Sequence, residues 1–370
     1  SKPARQEYTM TCPWLSIDLD KIQHNSRTLV NFCTQRGIAL TGVTKATCGN
    51  PEVAKAMLRG GVHSIADSRL ENIRRLKAAD LDTSYLLLRL PPLSETDVVV
   101  DLVDMSLNSE LSVLQGLSAA AGKRGVQHDV IIMIDLGDLR EGLLPDDLMP
   151  FLQEAIRLAG IRIVGIGTNL TCFSGIVPDQ HNMSRLVGLA DLVEQSFDLK
   201  LKWISGANSS GLELIASGRM PTRVNHARVG EAILLGRETV HRNPWQDTFQ
   251  DAFVLHAEVL ELGRKPSLPV GTGSEDAFGK QPQFEDRGVI SRALLNVGLE
   301  DVDVEGLTPV DARFRILGAS SVYLAVDVSA AGDDIHVGDQ LAFYLNYSAL
   351  LAAMTSEYVK KYPGSDYGAL

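Results

Sequence analysis

The sequence is poor in cysteine and lacks the spacings by which cysteine and histidine usually bind metals. Its four cysteines lie far apart, with no Cys-x-x-Cys pair: Cys12, Cys33, Cys48 and Cys172. This usage favours a reducing compartment over a disulfide-bonded, exported protein. The eight histidines form no cluster with metal-ligand spacing and no His-Glu-x-x-His motif occurs, so we expect no metal.

An excess of positive charge and a long apolar run are also absent. Lysine and arginine total 35 against 46 aspartates and glutamates, a net charge of -11, which argues against a nucleic-acid partner. No apolar run reaches the length of a membrane span, and the polar residues 1–10 lack the apolar core of a signal peptide. We therefore expect a cytoplasmic protein with neither a membrane nor a nucleic-acid partner.

The nucleotide-binding motifs are incomplete. Gly165-Ile166-Gly167 lacks the third glycine of a dinucleotide fingerprint. Residues 273–280 resemble a P-loop, but Gln281 follows where that motif needs a hydroxyl side chain. No Gly-x-Ser-x-Gly motif occurs either. The chemistry of this chain must therefore come from another arrangement of residues.

A regular alternation of strand-like and helix-like segments is what the sequence does contain. The chain has 370 residues, of which 45% are hydrophobic and 22% charged, an ordinary globular composition with enough core for two domains. Eight apolar segments, each followed by a helical segment or turn, lie at residues 38–43, 62–66, 85–90, 103–107, 129–135, 161–167, 201–205 and 224–229. Eight such units predict an α/β fold with a closed (β/α)8 TIM barrel, and an open doubly wound sheet is the alternative.

The alternation stops near the two-thirds point of the chain. Beyond it, strands punctuated by glycine and proline predict a β-rich C-terminal domain. We place the barrel at residues 20–240 and the C-terminal domain at residues 241–370. A short strand precedes the barrel, and we expect residues 1–19 to pack with the C-terminal domain.

Lys45 ends the first barrel strand and is the first candidate for chemistry. Active sites of such barrels lie at the carboxyl ends of the strands. A lysine at the end of an inner strand is costly to bury unless it has a partner or a covalent role. A neutral lysine amine can form a Schiff base with a carbonyl cofactor.

Two further strand ends suggest an anion site. Asn208-Ser209-Ser210 precedes a short helix, and Ser210 and Glu213 have the spacing of a capping box. Gly230 follows the eighth strand, where a glycine lets the backbone approach a ligand closely. The loops after strands seven and eight often bind phosphate in these barrels. A lysine facing a phosphate site predicts pyridoxal 5'-phosphate as the cofactor.

These residues, with others, resemble those of a known family. The chain is similar to the alanine-racemase-like, fold-type III pyridoxal phosphate enzymes, and among them to the ornithine racemase branch. The motifs that carry the resemblance span most of the chain: Ile17-Asp18-Leu19-Asp20, Val43-Thr44-Lys45-Ala46, Asp135-Leu136-Gly137, Gly165-Ile166-Gly167-Thr168-Asn169, Asn208-Ser209-Ser210, Arg228-Val229-Gly230-Glu231, Gly318-Ala319-Ser320-Ser321 and Tyr347-Ser348-Ala349.

The resemblance implies roles around the cofactor ring. Lys45 would carry the cofactor as a Schiff base and, once displaced by substrate, act as one of the catalytic bases. Arg228 would face the pyridine nitrogen and, being unable to give up a proton there, keep the ring neutral. Arg140 would contact the ring oxygen or the substrate carboxylate. Asn169 would lie beneath the ring, where alanine racemases have a histidine.

The resemblance also implies how the phosphate and the subunits are held. The phosphate would be bound by Ser209, Gly230, Glu231 through its backbone, and Tyr347. Relatives of this kind are head-to-tail dimers in which one subunit closes the active site of the other. We therefore expect a homodimer with shared active sites.

The second catalytic base departs from the pattern of the family. Val270 lies where alanine racemases have the tyrosine that serves as the second base. The candidates that remain are Tyr323, Asp276 and Cys172, and the partner subunit is a possible source. We take Tyr323 as the leading candidate.

The resulting prediction is a pyridoxal phosphate-dependent racemase. Its substrate would be a small molecule, a basic amino acid such as ornithine or lysine. Two alternatives stay open at this point: a lyase of the same fold, such as a decarboxylase, dehydratase or aldolase, and a cofactor-binding protein without a reaction of its own.

Overall fold

The structure, a computed structural model, describes residues 11–364 except 280 and 282. It divides into two compact units, one formed by residues 19–250 and the other by the segment up to Asp18 together with Asp251 onward. None of the helices within the described ranges combines the length and apolarity needed to cross a bilayer.

The first unit is built of alternating strands and helices. After β1 (Trp14–Asp18), which belongs to the other unit, the elements are α1 (Leu19–Thr34), β2 (Ala39–Val43), α2 (Pro51–Arg59), β3 (Ser64–Asp67), α3 (Leu70–Ala78), β4 (Tyr85–Leu87), α4 (Thr96–Leu102), β5 (Met105–Asn108), α5 (Leu111–Arg124), β6 (His128–Met133), α6 (Leu148–Ala155), β7 (Ile161–Gly167), α7 (Gln180–Phe197), β8 (Trp203–Ala207), α8 (Leu212–Ala216), β9 (His226–Val229) and α9 (Glu231–Leu235).

Strands β2 to β9 form the closed parallel barrel that the sequence predicts. Each strand pairs with the next, and β9 closes on β2 with Val229 opposite Gly42. Short apolar runs suit these positions because an inner strand of a parallel barrel is covered on both faces. Strands β2 to β8 contribute to one buried cluster: Val43, Ala66, Leu86, Leu107, Ile131, Met133, Val164 and Trp203.

The barrel unit extends to Gln250, ten residues beyond the predicted boundary. Asn25 on α1 explains the extension, because its buried side chain binds the returning chain. Its Nδ2 donates to the carbonyl oxygens of Ile233 and Phe249, at 3.0 and 2.8 Å, and its Oδ1 accepts from the Phe249 N–H at 2.7 Å. A buried amide with three such bonds fixes residues 241–250 to the barrel.

The second unit is a largely antiparallel sheet. Its elements are β10 (Phe253–Pro266), β11 (Val289–Leu295), β12 (Leu307–Pro309), β13 (Arg315–Ala319), β14 (Leu324–Asp327), β15 (Gln340–Leu345), α10 (Tyr347–Thr355) and β16 (Lys360–Gly364). The strand order is β12-β15-β10-β11-β14-β13, and β1 pairs antiparallel with β10 and parallel with β16.

Tyr347 differs from its predicted secondary structure. The sequence predicts a strand through residue 347, but β15 ends at Leu345 and Tyr347 begins helix α10. Asn346 causes the change, because its side chain accepts the N–H of Ala349 at 2.9 Å and caps the helix.

Candidate active site

Lys45 lies at the mouth of the barrel on a short, well-anchored turn. It is half-buried and begins a turn of 3-10 helix directly after β2. The preceding Thr44 donates its hydroxyl to Asp67 at 2.7 Å, which ties this turn to the end of β3. Asp67 also accepts from the Ser68 N–H at 2.7 Å and from Asn72 Nδ2 at 2.9 Å. The backbone that presents Lys45 is therefore fixed by buried hydrogen bonds.

Arg228 is buried on β9 and has only neutral hydrogen-bond partners among the described residues. Its Nη1 donates to the Ser205 carbonyl oxygen at 3.0 Å and to the Ser205 hydroxyl, and its Nη2 donates to the Thr168 carbonyl oxygen at 2.8 Å. Burial lowers the pKa of the guanidinium to about 10, so it stays charged at neutral pH. Three bonds leave up to two of the five guanidinium N–H groups for a ligand.

A buried chain of hydrogen bonds continues from Arg228 across the barrel. Ser205 Oγ lies 2.7 Å from His226 Nδ1, His226 Nε2 lies 2.8 Å from Thr41 Oγ1, and Thr41 Oγ1 lies 2.7 Å from Ser64 Oγ. Arginine can only donate, so the Ser205 hydroxyl is left to donate to Nδ1. Neutral His226 then has its proton on Nε2 and donates to Thr41. One direction of donation thus runs from Arg228 to Thr41.

The sequence did not predict this chain of hydrogen bonds. Its members come from β9, β8 and β2, with Ser64 on β3, and they have ordinary strand residues as neighbours. The one available signal is spacing, because His226 and Arg228 are two residues apart and so share a strand face.

We expect the protein to lose stability as the pH falls below about 6.5, the ordinary pKa of histidine. Burial lowers the pKa of His226 to about 3 and that of His128 to about 4. Between those values and the ordinary one, the unfolded chain binds protons that the folded chain does not. Each histidine then lowers the free energy of unfolding by about 1.4 kcal/mol per pH unit.

Urea unfolding between about pH 7 and 5 measures this slope. His128→Gln is the matched variant, since glutamine can still bond Ser106, the partner of His128 Nε2 at 2.8 Å. Its free energy of unfolding should depend less steeply on pH, because it has one fewer buried histidine. An unfolding free energy that is constant over this range would contradict the assignment of neutral, buried imidazoles.

Polar side chains at the ends of β7 and β8 include buried atoms that form no hydrogen bond within the described residues. Within the described residues, Asn169 Nδ2 and Thr168 Oγ1 are buried and have no hydrogen-bond partner. Asn208 donates to the Leu170 carbonyl oxygen at 3.0 Å and accepts from the Ser210 N–H at 2.8 Å. Asn208 therefore caps this turn, and the predicted capping box of Ser210 with Glu213 is wrong. Ser210 cannot cap α8, because that helix begins at Leu212 and its N-cap is Gly211.

The end of β9 lies against the end of β2. A Cβ added to Gly230 would be 3.1 Å from Val43 Cβ and 3.2 Å from the Val43 carbonyl oxygen. A side chain at this position would require Val43 to shift by a few tenths of an ångström. Ser209 is buried beside them and its Oγ accepts the N–H of Ala232 at 3.2 Å. Strand closure thus brings Ser209, Gly230 and Glu231 to the strand that carries Lys45.

Arg140 lies after β6 and is engaged with its neighbour. Its guanidinium forms an ion pair with Glu141, with Nη2 2.6 Å from Oε1. This side-chain hydrogen bond raises the pKa of Arg140. Arg140 and Arg228 are close enough for their charges to interact. The Glu141 carboxylate acts on Arg228 with the opposite sign and a larger effect, so the Arg140–Glu141 pair adds no net positive charge there.

The two predicted tyrosines belong to the second unit. Tyr323 directly precedes β14, is 46% exposed, and is held by its backbone, whose N–H donates to Ser320 Oγ at 3.3 Å. Tyr347 is half-buried at the start of α10. Of the other base candidates, Asp276 lies in the second unit between β10 and β11, and Cys172 is exposed on the barrel unit.

One group of potential metal ligands occurs in the described part of the barrel unit. Glu213, Glu238 and His241 have ligand atoms within 4.8 Å of one another. The Glu238 carboxylate, however, already accepts the N–H groups of Val240, His241 and Asn243 at 2.7 to 3.1 Å. These bonds fold the loop after α9, which is a structural role.

Comparison with known proteins gives matches over nearly the whole chain. Residues 17–238 match the family model of the alanine racemase N-terminal domain. The chain is 43% identical over 350 residues to a protein of Acetoanaerobium sticklandii named ornithine racemase, covering 94% of this chain and 99% of that protein. It is 36% identical over 352 residues to one of Thermotoga maritima named lysine racemase, covering 95% and 98%.

A solved structure shares the fold. Alanine racemase from Bartonella henselae with covalently bound pyridoxal phosphate has a TM-score of 0.73 at 17% sequence identity, and the match covers 96% of this chain and 100% of that chain. The likeness includes both units.

Proposed function

Because the chain belongs to the alanine racemase family, we propose that it interconverts the L and D forms of a basic amino acid such as ornithine or lysine, with pyridoxal phosphate on Lys45. The observation that carries the substrate class is the near full-length similarity to the two proteins named ornithine racemase and lysine racemase.

The groups at the barrel mouth fit pyridoxal phosphate. Asn169 Nδ2 and Thr168 Oγ1 are buried and have no hydrogen-bond partner within the described residues, which suits a polar ligand. Arg228 retains N–H groups for the ring nitrogen. Ser209 and the N–H groups of Gly230 and Glu231 would hold the phosphate, joined by Tyr347 of the second unit. Arg140 would bind the ring oxygen or the substrate carboxylate.

Lys45 and Arg228 would have different tasks when the α-proton moves. Pyridoxal phosphate, when bound, withdraws electron density from the α-carbon of the amino acid and makes its proton removable. Lys45 would take or return that proton on one face. Arg228 would donate a hydrogen bond to the ring nitrogen without transferring a proton, because its pKa of about 10 keeps it charged.

We expect Tyr323 of a partner subunit to serve the opposite face, in a homodimer with shared active sites. Tyr323→Phe should then reduce racemisation in both directions about a hundredfold or more. Exchange of the α-proton should persist for the enantiomer whose proton faces Lys45. Chiral chromatography and proton exchange in deuterated water measure the two processes separately.

Tyr358→Phe is the control for this substitution, since Tyr358 is another exposed tyrosine of the same unit, at 60%. It should leave both processes unchanged. Equal loss of racemisation and exchange in Tyr323→Phe, or unchanged activity, would exclude Tyr323 and leave Asp276 and Cys172.

The function itself is tested by incubating the holoenzyme with single enantiomers of ornithine and lysine. The expected product is the racemate in each case. Release of a decarboxylated, dehydrated or cleaved product would show a lyase of the same fold. Cofactor binding without α-proton exchange would show a carrier. The cytoplasmic location remains a prediction.

A further inference from the structure

Glu231 has a side chain that none of the roles above uses. It is the first residue of α9 and directly follows Gly230, which presses against Val43 at the end of β2. The pairing of Val229 with Gly42 continues in this direction, so residue 231 lies beside the turn that carries Lys45. The carboxylate is 12% exposed, and its charge interacts with that of Lys45.

The ion-pair partner of this carboxylate is far more exposed than the carboxylate itself. Glu231 Oε1 contacts Arg242, whose side chain is 59% exposed. The bonds of Glu238 to the N–H groups of His241 and Asn243 fix the backbone on either side of Arg242. The arginine side chain can therefore turn to solvent while the loop stays folded. Solvent around the exposed guanidinium screens this ion pair and weakens it.

The other carboxylates near the barrel mouth are more fully engaged. Asp67 accepts from side-chain and backbone donors, and Glu141 uses both oxygens on Arg140. Asp138 accepts the N–H groups of Phe173 and Ser174 at 2.9 and 3.1 Å. In contrast, Oε2 of Glu231 has no hydrogen bond within residues 11–364. Glu231 is thus the carboxylate with capacity for another cation.

We propose that Glu231 binds the distal ammonium group of a basic amino acid, in competition with Arg242. The proposal rests on the proposed function. The α-amino group of the substrate takes the position of the Lys45 amine, so a carboxylate beside Lys45 lies within reach of the substrate side chain. The aliphatic chain of ornithine or lysine spans the interval, and its ammonium replaces the guanidinium of Arg242. A neutral side chain leaves Arg242 in place and makes no ionic contact.

The test compares ornithine with norvaline, which has the same chain length and no distal charge. Glu231→Gln should raise the KM and Kd for ornithine about tenfold or more and leave those for norvaline nearly unchanged. Arg242→Gln should do the opposite and lower the Kd for ornithine severalfold, because the competing cation is gone. Absorbance titration of the holoenzyme gives each Kd independently of turnover.

The two variants separate recognition from a structural ion pair. If the pair only stabilises the fold, both variants will weaken both substrates alike, and the proposal fails. Loss of ornithine preference in Glu141→Gln and not in Glu231→Gln would also overturn it.

If Glu231→Gln does not fold, Glu231→Asp keeps the charge, shortens the reach and should shift the preference from ornithine toward lysine. A wild-type enzyme that racemises neither substrate would refute the proposed function; one that racemises ornithine while Glu231→Gln keeps its preference refutes only the role of Glu231.

Discussion

Lys45→Ala should abolish racemisation, with kcat reduced at least about a thousandfold. By the proposed mechanism, the variant would lose both the covalent attachment of pyridoxal phosphate and one of the two groups that move the α-proton. Borohydride reduction of the wild-type holoenzyme, followed by peptide mapping, should place the cofactor on residue 45. The variant should give no labelled peptide.

Lys265→Ala is the control, because Lys265 lies on β10 in the second unit and pairs with Glu261. It should keep wild-type activity and labelling. A labelled peptide that contains Lys265 or Lys280 in the wild-type protein would contradict the assignment; Lys280 lies outside the described residues.

Arg228→Glu should lower racemisation about a hundredfold and change the spectrum of the bound cofactor. A carboxyl group opposite the pyridine nitrogen can share a proton with it, which arginine cannot do. The protonated ring is a stronger electron sink, so we expect an absorbance band at longer wavelength to accumulate when substrate is added. Stopped-flow absorbance spectroscopy measures it directly.

Arg228→Gln distinguishes the effect of protonating the ring from the effect of losing the guanidinium. Glutamine keeps a neutral N–H donor, but it cannot protonate the ring. This variant should lose activity without producing the new band. An unchanged spectrum in Arg228→Glu, with cofactor still bound, would exclude Arg228 as the group that faces the ring nitrogen.

The family, the barrel with its β-rich second unit and the racemase class are confirmed. The alternation of strands and helices was sufficient to predict the barrel, while the family and the racemase class were implied by the resemblance of the motifs. Strand ends in a parallel barrel converge on one edge wherever they occur in the chain. Lys45 and Arg228 could therefore be grouped before any distance was known. Their roles toward the cofactor stay predictions.

The sequence could not predict the contacts that depend on the register between strands distant along the chain. The contact from His226 to Thr41 exists because β9 closes on β2, and no local pattern fixes which residues then face each other. The barrel unit ends at Gln250 and not at residue 240 for a similar reason, since the bonds of Asn25 to Phe249 join two ends of the unit. The sequence predicts a role for the backbone of Glu231 and none for its side chain, because the side-chain partner Arg242 lies on an irregular loop.

Closure of the barrel has a consequence for how this protein acquires activity. Lys45 lies near the beginning of the barrel unit and Arg228 near its end, and the pairing of β2 with β9 places Arg228 opposite Thr41, four residues before Lys45. Such long-range pairing is slow to form, because the chain must order most of the unit before the last strand can dock. A nascent barrel without β9 lacks the groups assigned to the ring nitrogen and to part of the phosphate. If the proposed site is right, we expect only completed barrels to bind the cofactor, and binding would then stabilise them by mass action.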